Sequence, residues 1–582
     1  MPYQNLADLP LDIHIIIVGF LRPMDIIAME QTCKSLHFVC SMRPIWMEAL
    51  QLTVSNNFIF CVPIQTPDSM TLDELRHAAT APARMLQLLE GRQQMKNHKN
   101  REIHHLYSTT VPLHWQNGGE VELGIHKTFL VPGGRYVVAT TNTCLMVVDL
   151  KRFFDSSSHY PADYMVFLAC SPDGNHVKVG QAPGRPSSLY IVVSEDRSDF
   201  TAYDFTVFEY DSSSHELSVF RRVSIQSDIR SRMLVSCLAD NLFIFFARNV
   251  CIAYIWDFVR NLYVSWGCDT RKRVSGIIVS ANKVIFLDKK SVGVWDIPPL
   301  HAARTLETHS TPTLSSSSAI AVPVTVVPRI AHVPQDILDA VTGVSVLPNN
   351  GYITAYPCFI DDWYNGTGRP LMFDILQFSK YDEGKGRDVA FRQQICFPDR
   401  VHIPGKLGGQ LPHINLFGFF PLMDSDLMDV EPYRMVEGRI FISWSYGGIY
   451  YTLATPGPEQ KDLPLMNTPS PHIDPDIPKT KAVDIAHGSV RECSFDPSSG
   501  RLCRPATSGT SLLIKDFLPL PQSLEEKYHD KQKILAGDHL SWEAKEAEMR
   551  QWMKRRKSRV LIEDLSDDDM FYDHLADSEE DY

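Results

Sequence analysis

The sequence predicts a mixed α+β chain of several domains: a small N-terminal module of three helices, a large and mainly β body, and a C-terminal helix with a disordered acidic tail. Apolar residues recur at helical spacing within the first fifty residues. Short runs rich in Val, Ile, Tyr and Phe, separated by turn-forming residues, extend from about residue 106 to 520. The last twenty residues are dominated by carboxylates. With 582 residues, of which 44% are hydrophobic, the chain can bury a sizeable core.

The N-terminal module, residues 6–50, contains three short amphipathic segments. Pro10 stands where a first-turn proline costs no internal hydrogen bond, and Pro23 ends the first segment and opens the second. Residues 43–46, Arg-Pro-Ile-Trp, end the module. The apolar positions are Leu9, Ile13, Ile16, Ile17, Phe20 and Leu21, then Ile26, Ile27 and Met29, then Cys33, Leu36, Val39 and Cys40. Three helices this short cannot bury all of these side chains, so the pattern predicts a partner that completes their packing.

Several anchors of this segment resemble the F-box, a docking module. They are Leu-Pro at residues 9–10, Pro-Met-Asp-Ile-Ile at 23–27, Thr-Cys-Lys-Ser-Leu at 32–36 and Ile-Trp at 45–46. The resemblance implies that the segment binds the Skp adaptor of a cullin-based ubiquitin ligase. The implied contact residues are Leu9, Pro10, Ile13, Ile17, Leu21, Pro23, Ile26 and Ile27.

Two positions depart from the family pattern. Asp12 stands where glutamate is commoner, and Gly19 lies within the first helix, where glycine costs ~1 kcal/mol relative to alanine. An alternative interpretation of the segment is a helical cap buried on the chain's own larger domain.

Residues 51–105 are expected to form a helical linker. Ser69 or Asp68 can cap a helix whose apolar positions include Leu72, Leu75 and Met85, and Pro82 is expected to break this helix into two. Residues 91–105 are polar and basic, which is typical of a solvated connection.

The β-rich body, residues 106–520, contains related fragments. Residues 131–149 contain a turn, a strand and a second strand that ends in Asp149, and Trp-Asp dipeptides at 256–257 and 295–296 lie thirty-nine residues apart. This separation is close to the ~40–45-residue period of a four-stranded propeller blade. The fragments resemble degenerate WD-type repeats without the Gly-His element, which implies a propeller-like domain whose blade number the sequence does not give. A β-sandwich is the alternative.

Two further expectations concern this body. Residues 305–327, which contain four consecutive serines, are expected to form a surface loop. Residues 111–115 form a short β-like stretch before the first fragment, and residues 512–517 form the last one. We expect these two stretches to pair and to close the ring, because a propeller leaves its sheet edges protected only when its ends are joined.

The C-terminal region divides into helices at 521–559, which end in the basic run Lys554 to Arg559, and an acidic tail at 560–582. Because this tail supplies much of the net charge of −13, the remaining chain is nearly neutral, and nucleic acid is not an expected partner. Scattered cysteines and the absence of a long apolar run favour a cytoplasmic location without membrane contact; the basic run adds nuclear import as an alternative.

The sequence offers no catalytic, metal-binding or cofactor-binding pattern. No Cys-x-x-Cys pair is present, Gly384-Lys385-Gly386 lacks a strand-to-helix context for phosphate, and the adjacent His104 and His105 point to different sides of a strand. Asp361-Asp362 could bind a cation or carbohydrate, but such a pair is more typical of a solvated turn.

The predicted function is therefore that of a non-enzymatic, substrate-recruiting subunit of an SCF-type ubiquitin ligase. The F-box would dock to the Skp adaptor, and the β-rich body would bind an unknown protein client. The alternatives are an F-box scaffold that acts without ubiquitination, and a ligand-binding or enzymatic propeller with an incidental helical leader.

Overall fold

A computed structural model describes much of the chain between residues 6 and 519. The described residues are 6, 9–57, 59–60, 70–94, 103–113, 124–155, 164–169, 172–185, 187–196, 202–226, 234–247, 251–267, 274–280, 283–288, 292–302, 313–314, 325–327, 358–360, 372–379, 389–396, 413–421, 429–430, 434–436, 439–445, 448–454, 483–487, 493–506 and 509–519. The predicted C-terminal helices, the acidic tail, Asp361-Asp362 and Gly384-Lys385-Gly386 lie outside these residues.

Five helices form the N-terminal helical module: α1 (Leu11–Gly19), α2 (Pro23–Glu30), α3 (Lys34–Cys40), α4 (Arg43–Asn56) and α5 (Leu72–Gln94). Residues 43–46, predicted to close the three-helix segment, begin a fourth helix, α4. Pro44 lies in the first turn of this helix, where its missing N–H costs no hydrogen bond.

The core of the helical module is built around Trp46, which is fully buried and donates a 2.7 Å hydrogen bond from Nε1 to the Cys40 carbonyl. Leu75 and Ala79 of α5 lie in the same core. The other buried residues of this core are Val18, Ile26, Met29, Leu36, Val39, Cys40, Ile45, Ala49, Leu50 and Met70. The four helices of residues 11–56 are thus covered by a fifth from the segment predicted to be a linker.

Helix α5 continues through Pro82, so the predicted break at this proline is wrong. A proline in a helix interior costs ~3 kcal/mol in the absence of other contacts. Here the residues on both sides are held by tertiary packing: Ala79 lies in the core of the helical module, and Met85 lies in a second core. Burial at both ends offsets the local cost.

The body begins with β1 (Tyr107–Pro112), whose partner strand lies at the far end of the body, and continues as a series of mainly antiparallel sheets. The first sheet contains β2 (Lys127–Leu130), β3 (Tyr136–Thr140), β4 (Cys144–Asp149) and β5 (Met165–Ala169), with a short helix α6 (Leu150–Asp155) before β5. The second contains β6 (Pro172–Gln181), β7 (Ser188–Asp196), β8 (Ala202–Asp211) and β9 (Glu216–Gln226). The third contains β10 (Leu234–Ala239), β11 (Leu242–Ala247), β12 (Ile252–Asp257) and β13 (Leu262–Gly267).

The fourth sheet contains β14 (Val274–Ser280), β15 (Lys283–Asp288) and β16 (Val292–Asp296). Three short strands follow: β17 (His301–Ala302) pairs with β13, β18 (Thr313–Leu314) pairs in parallel with β9, and β19 (Thr325–Val327) completes the fourth sheet beside β16. Residues 305–327 were predicted to form a surface loop. This prediction is wrong for residues 313–314 and 325–327, which form β18 and β19.

The remaining strands form three further sheets. The fifth contains β20 (Cys358–Ile360), β21 (Met372–Ser379), β22 (Val389–Cys396) and β23 (His413–Pro421). The sixth contains β24 (Asp429–Val430), β25 (Arg434–Val436), β26 (Arg439–Ser445), β27 (Gly448–Ala454) and β28 (Val483–His487). The last contains β29 (Ser494–Asp496), β30 (Arg501–Pro505), β31 (Ser511–Asp516) and the distant strand β1, and we call it the closing sheet.

The sheets follow one another as propeller blades do. The first strand of one sheet lies against the first strand of the next, from β2 to β6, β10, β14 and β20. Strand β2 also lies against β29 and β30 of the closing sheet. This radial order confirms the expected propeller-like body and shows seven sheets within the described residues.

The predicted pairing of the chain's β ends is confirmed with a shifted boundary. Strand β1 pairs antiparallel with β31, from Tyr107 opposite Asp516 to Pro112 opposite Ser511. The paired segment therefore starts four residues before the predicted stretch 111–115. The boundary between the first sheet and the closing sheet, which we call the seam, is also held by hydrogen bonds. Leu130 N donates to Ser494 Oγ at 2.9 Å, and Gly133 N donates to Asp496 Oδ2 at 2.9 Å.

Candidate partner-docking surface

Helix α1 carries more apolar surface than the helical module buries. Within Leu11–Gly19, only His14 and Val18 are buried. Ile13, Ile16 and Phe20 lie at helical spacing along its exposed side, and 57% of Ile16 and 86% of Phe20 are exposed. Apolar side chains this exposed on one helix indicate an interaction surface.

The eight residues implied by the family resemblance are divided between the surface and the core. Pro10 and Ile13 are exposed, and Leu9, Ile17, Leu21 and Ile27 are partly exposed. Pro23 is buried, and only 1% of Ile26 is exposed because it packs in the core of the helical module. Pro23 and Ile26 are therefore covered by the chain's own residues, whereas the other six are at least partly exposed.

Within residues 6–56, seven exposed large apolar residues were absent from the implied set: Leu6, Leu11, Ile15, Ile16, Phe20, Phe38 and Leu52. The signal for Ile16 and Phe20 was present in the sequence, because they follow Ile13 at spacings of three and seven residues. Phe38 carried no such signal, because periodicity does not show which side of the short helix α3 is covered.

A groove of about 440 Å³ lies between α1 and α3. It is lined by Leu9, Leu11, His14, Lys34, Ser35, Phe38 and Val39. Its wall is fixed by His14, which is buried and donates from Nε2 to the Leu6 carbonyl at 2.7 Å. The groove borders α1 at Leu11 and His14, and Ile13, Ile16 and Phe20 do not line it.

Polar contacts hold the helices beneath this surface in fixed positions. Glu30 of α2 accepts hydrogen bonds from Arg76 of α5 at 2.7 Å and from Ser41 at 3.0 Å. The Arg76 guanidinium also lies 5.4 Å from the centre of a Trp46 ring. Arg43 donates to the Met70 carbonyl, which fixes the start of α4 against the residues before α5. The docking surface is thus preorganised, which lowers the entropic cost of binding.

The described residues contain no group of three or more His, Cys, Asp or Glu side chains placed to hold a metal ion. Among the described helices, none is long and apolar enough to cross a membrane. His104 and His105 are both exposed, and the basic run Lys554 to Arg559 lies outside the described residues.

Comparison with known proteins identifies the N-terminal segment. Residues 6–48 match the F-box domain model. No curated protein matches the chain.

Among solved structures, the chain is similar to the β-propeller domain of Nup133 from Vanderwaltozyma polyspora, with 10% identity and a TM-score of 0.38 over 70% of this chain and 97% of that one. It is also similar to the N-terminal domain of Nup159, with 11% identity and a TM-score of 0.30 over 71% of this chain and 98% of that one. The propeller-like order of the sheets described above rests on this chain's own strand pairing.

Proposed function

Because residues 6–48 form an F-box domain, we propose that this chain is the substrate-recruiting subunit of an SCF-type ubiquitin ligase. The F-box docks to a Skp-type adaptor through the exposed apolar side of α1, and the β-rich body binds a protein client. The observation that supports docking most directly is the exposure of Ile16 and Phe20 on a helix whose buried side is already packed. Burial of these side chains by the adaptor supplies the binding free energy.

In this proposal the chain performs no bond-breaking step of its own. It raises the effective concentration of client lysines near the ubiquitin carrier that the cullin holds. What it must supply is a rigid path from the adaptor to the client, and the preorganised helical module is suited to that task.

Co-purification with the Skp-type adaptor tests the docking step. The variant Ile16→Asp/Phe20→Asp places two carboxylates where the adaptor must exclude water, so we expect the affinity to fall at least 100-fold. Both side chains are exposed in the free chain, so the variant should fold normally. Val219→Asp, which alters an exposed apolar residue on β9, is the control and should bind as the unaltered chain does. Adaptor binding of the double variant at the unaltered level would contradict the docking assignment.

Client recruitment is tested with the same pair of variants in cells. Proteins that co-purify with the unaltered chain and with both variants are candidates for clients of the body. If the chain directs ubiquitination, their half-lives should lengthen only when the double variant replaces the unaltered chain. If the unaltered chain binds the adaptor but client half-lives are the same with the unaltered chain and with the double variant, the scaffold function is favoured.

A further inference from the structure

Helix α5 belongs to two hydrophobic cores at once. Its first half places Leu75 and Ala79 in the core of the helical module. Its second half places Met85 and Leu89, both fully buried, against the closing sheet and its surroundings. The residues of this second core from the body are Leu453, Cys493, Phe495, Leu502, Phe517 and Leu518. One unbroken helix therefore contributes to both the docking module and the sheet that joins the ends of the ring.

Polar and steric contacts fix α5 on the closing sheet. Arg84 donates from Nη2 to the Pro519 carbonyl at 2.9 Å, three residues after β31 ends. The turn between β29 and β30 passes close beneath the helix. At Gly500, whose φ is +65°, an added Cβ would lie 2.7 Å from Leu518 Cγ and 3.3 Å from Met85 Sδ. The packing leaves little room for the helix and the turn to move independently.

A second connection reaches the other side of the seam. After α4 ends, Phe60 N donates to the Pro132 carbonyl at 3.1 Å, and the Phe60 ring packs edge-on against Tyr136 of β3 at 6.4 Å. An added Cβ at Gly133 would lie 2.8 Å from Ile59 Cγ2, so this turn also fits tightly against the helical module. The helical module therefore contacts both the first sheet and the closing sheet.

We propose that the helical module is a clamp on the seam of the ring, so that adaptor docking on α1 and closure of the β-rich body are thermodynamically coupled. The adaptor's identity rests on the function proposed above; the clamp itself rests only on the contacts of this chain. A ligand that binds one folded unit stabilises whatever unfolds together with that unit. Because Met85 and Leu89 lose their cover when the closing sheet opens, opening of the sheet weakens α5 and the surface it supports.

Hydrogen exchange of the full-length chain tests the clamp without the adaptor. Leu89→Ala removes packing between α5 and the closing sheet, and we expect exchange of the β1, β30 and β31 amides to rise at least tenfold. The matched control is Ile255→Ala, which removes the same number of carbons from a fully buried site in the third sheet, outside the core that α5 shares with the body. If both variants accelerate exchange in the closing sheet equally, the clamp is refuted. Should Leu89→Ala fail to fold, Arg84→Gln removes the bond to Pro519 together with the 3.3 Å contact to His77 Nδ1, and it is judged by the same comparison.

Addition of a Skp-type adaptor tests the coupling. We expect saturating adaptor to slow exchange of the β31 amides at least tenfold in the unaltered chain and much less in Leu89→Ala. Adaptor that binds without slowing exchange at β31 would overturn the coupling while leaving the proposed function intact. Adaptor that does not bind would overturn the proposed function, and the comparison of Leu89→Ala with Ile255→Ala would still decide the clamp.

Discussion

A disulfide between β1 and β31, the two strands that join the ends of the body, would report directly on closure of the ring. Thr110 of β1 lies opposite Leu513 of β31, and neither side chain is buried. Directly opposed residues of antiparallel strands have Cβ atoms ~4.5–5.5 Å apart, close enough for a disulfide after a small adjustment. We expect Thr110→Cys/Leu513→Cys, made with the exposed Cys33 changed to Ser, to cross-link under mild oxidation.

The expected stabilisation follows from the size of the loop that the bond would close. Residues 110 and 513 are roughly 400 positions apart in the chain. The chain-entropy model gives about 6 kcal/mol for a loop of this length, and strain together with residual structure in the unfolded state reduces this to the more typical ~2–4 kcal/mol. Such an increase should be visible as a higher unfolding midpoint that is lost on addition of a reductant.

Non-reducing electrophoresis and mass spectrometry of the bridged peptide identify the bond, and denaturant unfolding with and without reductant measures its effect. The control is Thr110→Cys/Ile514→Cys, which is shifted by one residue. Because side chains alternate between the two faces of a strand, this shifted pair should not bridge. Equal cross-linking of both pairs, or of neither in folded protein, would refute the register of β1 on β31.

Three further outcomes are expected from single groups. Asp496→Ala removes the buried carboxylate that accepts the Gly133 N–H across the seam, and should lower the free energy of unfolding by about 3 kcal/mol in urea titrations. Burial, with Lys127 nearby, lowers the pKa of Lys178, so the unfolded state binds its proton more tightly. Lys178→Met should therefore stabilise the chain at pH 7 and weaken the rise in stability towards pH 10. Burial, with Arg84 and Arg501 nearby, lowers the pKa of His77 to about 3, so the unfolded state binds the proton more tightly than the folded state. The free energy of unfolding should therefore fall as the pH drops from 6.5 towards 3, by about 2 kcal/mol at pH 5. His77→Gln should not show this loss.

The helices of the F-box were predictable because their signals are local. Pro23 begins α2 as expected, and the apolar spacing selected Ile26, Leu36 and Val39, which lie together in one core. The division between core and surface was less predictable. Ile26 and Ile13 have the same chemistry, yet Ile26 packs in the core of the helical module and Ile13 is exposed, and the apolar spacing does not distinguish them.

In the body, the recurring terminal aspartate was a structural signal. Asp149, Asp257 and Asp296 each end the third strand of their sheet, as the Trp-Asp and Val-Asp patterns suggested. Two of them pair with a cation at the start of the second strand: Asp149 with Arg135 at 2.7 Å, and Asp296 with Lys283 at 2.5 Å. The described strands of the fifth sheet carry no such dipeptide, and in the sixth sheet Val483-Asp484 begins β28 and does not end a strand, so the number of sheets could not be counted from the sequence.

The role of α5 could not be predicted, because composition alone does not distinguish a helix that only connects two domains from one that packs in the cores of both. Its apolar residues were visible, but Pro82 suggested two short helices, and only the structure shows that Ala79 and Met85 face different cores. This has a practical consequence for studies of function. Deletion of residues 6–50 would remove the cover of Leu75 and Ala79 together with the docking surface, so loss of a client from such a deletion would not separate docking from closure of the body. Substitution of the exposed Ile16 and Phe20 leaves both cores intact, and it is therefore the cleaner way to ask which proteins the body binds.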